Sequence, residues 1–140
     1  MNTLTNIVKS KLDIKEIPKE WGLYKLKNIG NIKSGTTPNR NNGDLFYQNG
    51  IYPWVKTTDL TNGFINCTEE KVTQTALDKT SLRLLPRGTV LVAMYGGFNQ
   101  IGRTGLLNIK ASINQALSAI LVDNNKVDSY FLLNWLNLNV

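Results

Sequence analysis

From Trp21 onward, short apolar stretches alternate with stretches of turn-forming residues, a pattern typical of a sheet built from many short strands. The segments that predict strands are residues 21–26, 29–33, 52–56, 64–66, 82–85, 89–95, 105–109 and 116–122. Residues 34–43, rich in Gly, Thr and Asn, predict a loop, and Pro86-Arg87-Gly88 predicts a turn between two strands. The pattern therefore indicates a strand-rich domain.

Helical spacing of apolar residues occurs at both ends of the chain. Near the start these residues are Leu4, Ile7, Val8 and Leu12, and they predict a leading helix or arm over residues 1–16. Residues 73–81 predict a short internal helix, and residues 129–140 predict a final helix that stops without a cap while still apolar. We therefore expect a leading arm at 1–16, one domain at 17–128, and the start of a truncated spacer helix at 129–140.

Charge is distributed unevenly along the 140 residues, whose formal net charge is +6. Residues 23–43 and 79–122 contain no Asp or Glu. Their cations are Lys25, Lys27, Lys33 and Arg40 in the first tract, and Lys79, Arg83, Arg87, Arg103 and Lys110 in the second. If the fold brings the two tracts together, they form one positive face suited to a polyanion.

Several kinds of chemistry are disfavoured by the composition. The chain has no His and one Cys, which argues against a zinc site, an internal disulfide and most hydrolase mechanisms. Residues 97–104 have phosphate-loop spacing with Arg103 in place of Lys, but a strand is predicted next, where that motif requires a helix. No apolar run is long enough for a membrane helix. We expect a cytoplasmic, non-catalytic chain that binds no cofactor or metal itself.

Asp59, Glu69 and Lys71 imitate the residues of a metal-dependent nuclease, which is one alternative function. The competing interpretation is that these charges are solvated and that Thr58 or Asp59 caps a helical turn.

Four segments carry side chains suited to hydrogen-bonding phosphates and base edges. The residues expected to contact DNA are Thr36, Thr37, Arg40 and Asn41 in an exposed loop, Lys56, Thr57 and Thr58 after a strand, and Tyr95, Asn99, Gln100 and Arg103 in a glycine-rich loop. The fourth segment holds Asn114 and Gln115. The alternatives stay open: an ordinary surface loop, a Trp54 that belongs to the core, a simple hairpin connection, and amides that satisfy neighbouring backbone.

A series of short blocks appears in a characteristic order. The blocks are Ile17-Pro18-Lys19-Glu20-Trp21 with Lys25-Leu26, Gly35-Thr36-Thr37-Pro38, Pro53-Trp54-Val55-Lys56-Thr57-Thr58-Asp59-Leu60, Leu85-Pro86-Arg87-Gly88-Thr89-Val90-Leu91-Val92-Ala93-Met94, Ile101-Gly102-Arg103 and Asn114-Gln115-Ala116. In this order they resemble the first, amino-terminal target-recognition domain of Type I restriction-modification specificity subunits, from about residue 17 to residue 130.

The resemblance implies an α+β domain with a curved, mostly antiparallel sheet and short helices, ending in the start of a long helix. It implies that the chain reads one half of a bipartite target in double-stranded DNA through the major groove. It also implies methyltransferase subunits as partners, the restriction subunit through them, and a second specificity half-subunit as a further candidate. S-adenosylmethionine, ATP and Mg²⁺ would belong to those partners, and no membrane is involved.

The chain departs from the family pattern by stopping within its first long helix, so we expect it to lack a second recognition domain and the spacer. A cut piece, a natural half-subunit and a remnant are all compatible with this. The alternative function is a protein-interaction module that docks on methyltransferase or specificity subunits and modulates assembly. Its expected interface residues are Phe131, Leu132, Trp135 and Leu136.

Overall fold

The computed structural model describes residues 17–139, so the predicted leading helix or arm at 1–16 lies outside the described residues. The α-helices are α1 (Leu26–Ile29), α2 (Gly43–Phe46), α3 (Gln74–Lys79) and α4 (Ser129–Asn139), and 3-10 turns cover Arg40–Asn42 and Thr57–Asp59. The strands are β1 (Gly30–Ser34), β2 (Tyr52–Val55), β3 (Gly63–Ile65), β4 (Glu70–Val72), β5 (Val90–Ala93), β6 (Thr104–Leu107), β7 (Ser112–Ile113) and β8 (Leu117–Val122).

The strands form two sheets. Five of them lie in the order β1-β8-β5-β6-β3, and all neighbours in this sheet are antiparallel except β3 and β6. The other three lie in the order β4-β2-β7, with β2 antiparallel to β4 and parallel to β7. The predicted α+β, mostly antiparallel architecture is confirmed, with the strands divided between two sheets.

The larger sheet buries both of its faces, because successive side chains of a strand point to opposite sides. In β5, Leu91 joins a core shared with Val55 and Ile113 of the smaller sheet. Its neighbour Val90 faces the other way and packs with Leu133 of α4. A third cluster joins α2, α3 and the smaller sheet through the buried side chains of Phe46, Trp54, Val72, Ala76 and Leu82. These three cores hold the strand ends in fixed positions.

Six of the eight predicted strands are confirmed to within about two residues at either end. Residues 21–26 are wrong as a strand, because Trp21 and Tyr24 are largely exposed and the chain is irregular until α1. Residues 82–85 are also wrong, since only a single bridge joins Leu85 to Ala111. The predicted loop at 34–43 includes the 3-10 turn Arg40–Asn42 and the first residue of α2.

Two observed strands were not predicted. β4 and β7 are three and two residues long, too short for an apolar alternation to be visible in the sequence. They are strands only because β2 lies between them and supplies their hydrogen-bond partners. None of the helices among residues 17–139 has the length and apolar character needed to cross a membrane.

Candidate nucleic-acid interface

The four segments with DNA-binding chemistry meet at one edge of the fold. β1 ends at Ser34 and β5 ends at Ala93, both beside the start of β8 at Leu117. β2 ends at Val55, which pairs with Ile113 just before β8. Because these strand ends are adjacent, the connected loops emerge together. We call this edge the loop rim; it comprises residues 35–42, 56–59, 94–103 and 114–116.

The first loop of the rim, residues 35–42, is tied to the body of the domain. The Thr36 backbone N–H donates to the Ile113 carbonyl at 3.0 Å, and the Thr36 carbonyl accepts from Trp54 Nε1 at 3.2 Å. The Thr36 and Ser81 hydroxyls share a hydrogen bond of 2.6 Å. Gly35 has no room for a side chain, since a Cβ there would lie 2.1 Å from the Asn114 carbonyl oxygen. Thr36 and Thr37 are half-buried, so the expected exposed loop is largely an anchored one.

Arg40 and Lys56, both expected to contact DNA, share a carboxylate. Two Arg40 nitrogens donate to the two oxygens of Glu70 at 2.7 and 3.0 Å. Lys56 Nζ donates to Glu70 at 2.7 Å and to Glu69 at 3.0 Å. The Arg40 guanidinium, followed by the Lys56 ammonium, lowers the pKa of Glu70 to about 2. Two cations and two carboxylates thus compensate each other, and we call these four residues the ion cluster.

Aromatic and backbone contacts hold the ion cluster in place. The Arg40 guanidinium lies 4.2 Å from the centre of the Tyr47 ring and 5.1 Å from that of Trp54, a cation–π arrangement. Trp54 is buried, as the structural interpretation of that residue predicted. Asp59 accepts from the Lys56 backbone N–H at 2.8 Å and from the Glu69 backbone N–H at 3.0 Å. Asp59 therefore caps the turn. The Lys56 ammonium hydrogen-bonds to both Glu69 and Glu70, the carboxylates beside Lys71 that a metal-dependent nuclease would use to bind its metal.

Of the remaining residues in the second segment, Thr57 is buried and Thr58 is exposed. Burial of Thr57 is contrary to its expected role in direct DNA contact. Thr57 instead supports the glycine-rich loop, because a methyl group on Gly96 would lie 3.4 Å from Thr57 Cγ2. Segments 56–59 and 94–103 are therefore neighbours on the rim.

The glycine-rich segment, residues 94–103, connects β5 to β6, and we call it the hairpin loop. At its base, the Gly102 N–H donates to the Ala93 carbonyl at 2.9 Å and the Ala93 N–H to the Arg103 carbonyl at 2.8 Å. Gly96 and Gly102 have φ of 145° and 84°, values that favour glycine. Beyond the base the loop points away from the core, with Phe98 99% exposed.

The polar groups of the hairpin loop differ in availability. Asn99 is exposed, whereas the Gln100 side chain accepts from the Gly97 backbone N–H at 3.0 Å. Arg103 forms no ion pair with any residue between 17 and 139. β6 begins directly after Arg103, so the strand expected in place of a phosphate-loop helix is confirmed. In the fourth segment, Asn114 accepts from the Ala116 backbone N–H at 3.1 Å, the structural role considered for it.

The two acid-free tracts of the sequence meet beside the rim. A cleft is lined by Lys33 from the first tract and Arg83 from the second, with the hydroxyl-bearing residues Ser34, Thr36 and Ser81 between them. Lys33 and Arg83 are not among the residues that the sequence predicts to contact DNA. The absence of acids around both was the signal that would have identified them.

α4 places the four expected interface residues on different sides. Leu132 and Leu136 are 3% and 4% exposed and pack against the larger sheet, so they belong to the domain's own core rather than to an outer surface. Phe131 is partly exposed and packs edge-on against Trp21, with ring centres 5.5 Å apart. Trp135 is partly exposed.

Comparison with known proteins gives a consistent result. Residues 18–140 match the family described as the Type I restriction modification DNA specificity domain. The specificity subunit of the Type I restriction enzyme MjaIX from Methanocaldococcus jannaschii is 31% identical over 121 residues, 84% of this chain. The specificity subunit of EcoR124I/EcoR124II from Escherichia coli is 26% identical over 120 residues, 85% of this chain. The chain spans 27% and 29% of the lengths of these relatives.

A solved structure supports the fold independently. The HsdS subunit from Thermoanaerobacter tengcongensis superimposes with a TM-score of 0.62 at 15% identity. The match covers 96% of this chain and 32% of that subunit.

Proposed function

The chain belongs to the family of Type I restriction-modification DNA specificity domains, and on this premise we propose that it binds double-stranded DNA in a sequence-specific way and reads one half of a bipartite target. The observation that carries the proposal is the hairpin loop. It combines an uncompensated arginine, an exposed amide and an exposed aromatic ring on a rigid base at the edge where all four candidate segments meet.

Each group on the hairpin loop has a role in this proposal. Asn99 donates to and accepts from an adenine edge, and Phe98 makes an apolar contact with a thymine methyl group. Arg103 binds either a guanine edge or a phosphate. Tyr95, 68% exposed, flanks them. Base discrimination therefore resides in residues 94–103.

The cleft beside the rim supplies affinity rather than discrimination. Lys33 and Arg83 approach it from the two acid-free tracts, and hydroxyl groups lie between them. Phosphate oxygens accept hydrogen bonds from this set of donors whatever the base sequence. Lys33 and Arg83, which are far apart in the sequence, thus form one phosphate-binding surface together.

We infer further that the chain contributes recognition and no chemistry. Methyltransferase subunits, and the restriction subunit through them, would supply S-adenosylmethionine, ATP and Mg²⁺, with a second specificity half-subunit reading the other half of the target. The relatives that match are specificity subunits of Type I restriction enzymes, which supports this assignment.

The direct test is selection from a randomised duplex library by the purified chain over a series of salt concentrations, followed by sequencing. We expect enrichment of one short sequence and an affinity that falls as salt rises. The same selection with the methyltransferase subunits added tests whether they are needed to hold the domain on DNA. Absence of an enriched sequence under both conditions would overturn the proposal.

A further inference from the structure

The ion cluster places a carboxylate where the candidate interface would otherwise present two cations. Glu70 receives two parallel hydrogen bonds from Arg40, and one of its oxygens also accepts from Lys56. A planar guanidinium binds a carboxylate and a phosphate with the same two-point geometry. Glu70 therefore occupies the site on Arg40 that a phosphate group would take.

The cluster is accessible to another anion. The Arg40 side chain is 52% exposed and that of Glu70 is 28% exposed, so the pair lies at the surface. The side chain of Lys56 is 20% exposed. Lys56 immediately precedes Thr57, whose side chain lies beside Gly96 of the hairpin loop. DNA that contacts the hairpin loop thus comes close to Arg40 and Lys56 with Glu70 already bound to them.

Such a carboxylate weakens the binding of any DNA. Target and non-target DNA present the same phosphate groups, so both lose the use of two cations. A target sequence also gains base contacts at the hairpin loop, which do not involve Glu70. The carboxylate therefore lowers the sequence-independent part of the affinity and leaves base discrimination to the hairpin loop.

We propose that Glu70 is an internal competitor of DNA phosphates for Arg40 and Lys56, and that it lowers the sequence-independent part of the affinity, so that stable binding depends on the base contacts of the hairpin loop. The inference rests on the proposed function. It adds to that function a role for Glu70, a residue that contacts no base. It also explains why two cations expected to bind DNA are neutralised in the free chain.

The test compares Glu70→Gln with a matched control, Glu69→Gln. Both remove one carboxylate from adjacent positions, but the Glu69 side chain is 68% exposed and, among residues 17–139, its carboxylate pairs with Lys56 and not with Arg40. We expect Glu70→Gln to tighten binding to a non-target duplex by about tenfold and to steepen the log–log salt slope by up to about 1.8, since each phosphate contact contributes about 0.9. Target binding should tighten by a similar factor, because the additional base contacts do not involve Glu70. The control should change the slope by less than half as much.

Two further measurements, on Arg40→Gln and on Glu70→Gln, can overturn the inference. In an otherwise native chain, Arg40→Gln should leave the non-target salt slope unchanged, because Glu70 already occupies that guanidinium. A slope reduced by about 0.9 would show that Arg40 binds phosphate despite Glu70 and would overturn the inference. A Glu70→Gln chain with a lower Tm and an unaltered slope would do the same, since the cluster would then be structural only.

The native chain in the same salt series separates the two hypotheses. If it binds no DNA, the proposed function fails and this inference with it. If it binds its target and Glu70→Gln changes neither the affinity nor the salt slope, only the inference about Glu70 fails.

Discussion

Residues 35–42 and the hairpin loop resemble each other in the sequence and differ in the fold. Both combine glycine, amides and one arginine, and both lie in acid-free stretches. The first is bound to Trp54, Ser81 and Ile113, and its arginine is paired with Glu70. The second is held at its base and internally; its arginine forms no ion pair among residues 17–139, and the ring at its tip is exposed. Similar residue chemistry therefore serves as scaffold in one loop and as a free binding surface in the other.

The difference arises from what each loop finds across the fold. Residues 35–42 meet α2, β2 and β4, which supply an aromatic surface and a carboxylate. The hairpin loop extends from two strands past the end of the sheet, where Thr57 lies beside Gly96 and the Ala116 carbonyl accepts from the Met94 and Tyr95 backbone N–H groups. Partners outside the loop, rather than residues within it, decide whether a polar loop is available to a ligand.

The largest effect expected from this comparison is on stability. Trp54→Ala should lower the free energy of unfolding by about 3–5 kcal/mol, because a buried ring is lost from the core and from beneath Arg40. Phe98→Ala removes an aromatic ring from the free loop and should change stability by less than about 0.5 kcal/mol. Urea denaturation of both variants measures the contrast. Equal destabilisation would show that the hairpin loop is packed as tightly as the anchored one.

The next effect is on DNA affinity. Arg103→Ala should weaken target binding by about 1–3 kcal/mol, which is roughly a 5- to 150-fold loss, because its charge is uncompensated. Arg87→Ala is the matched control, since Arg87 is exposed on the turn before β5, at the opposite end from the rim, and donates to Asn108. Fluorescence anisotropy with the enriched duplex provides the measurement. Equal losses in the two variants would mean that the hairpin loop has no special role.

The smallest expected effect concerns pH and sharpens the account of the anchored loop. The pKa of Glu70 is about 2 in the folded chain and 4.5 without its partners, so the stabilisation is complete above pH 4.5 and is lost as the pH falls towards 2. Because the cluster is partly exposed, we expect about 1 kcal/mol. Thermal unfolding of the native chain and of Glu70→Gln between pH 2 and pH 6 measures it. Parallel Tm curves would contradict the ion cluster as a source of stability.

Local residue patterns were sufficient to predict much of this molecule. Apolar runs such as those in β5 and β8 identify strands wherever they fall in the core, because burial requires the same residues in any context. The order of short blocks along the chain indicates the family, and the family match covers residues 18–140. The buried Trp54 and the capping role of Asp59 also follow from their immediate neighbours.

Other features were determined only by tertiary contacts. Nothing near Arg40 in the sequence indicates Glu70, thirty positions away, because β4 exists only through its pairing with β2. In the sequence Leu132 and Leu136 resemble interface residues, but in the fold they pack against the larger sheet. The sequence by itself determined six of the eight strands and which segments carry groups able to bind DNA. Only the tertiary structure decided which of those groups are already satisfied, because charge compensation and burial depend on residues that are distant in the chain and adjacent in space.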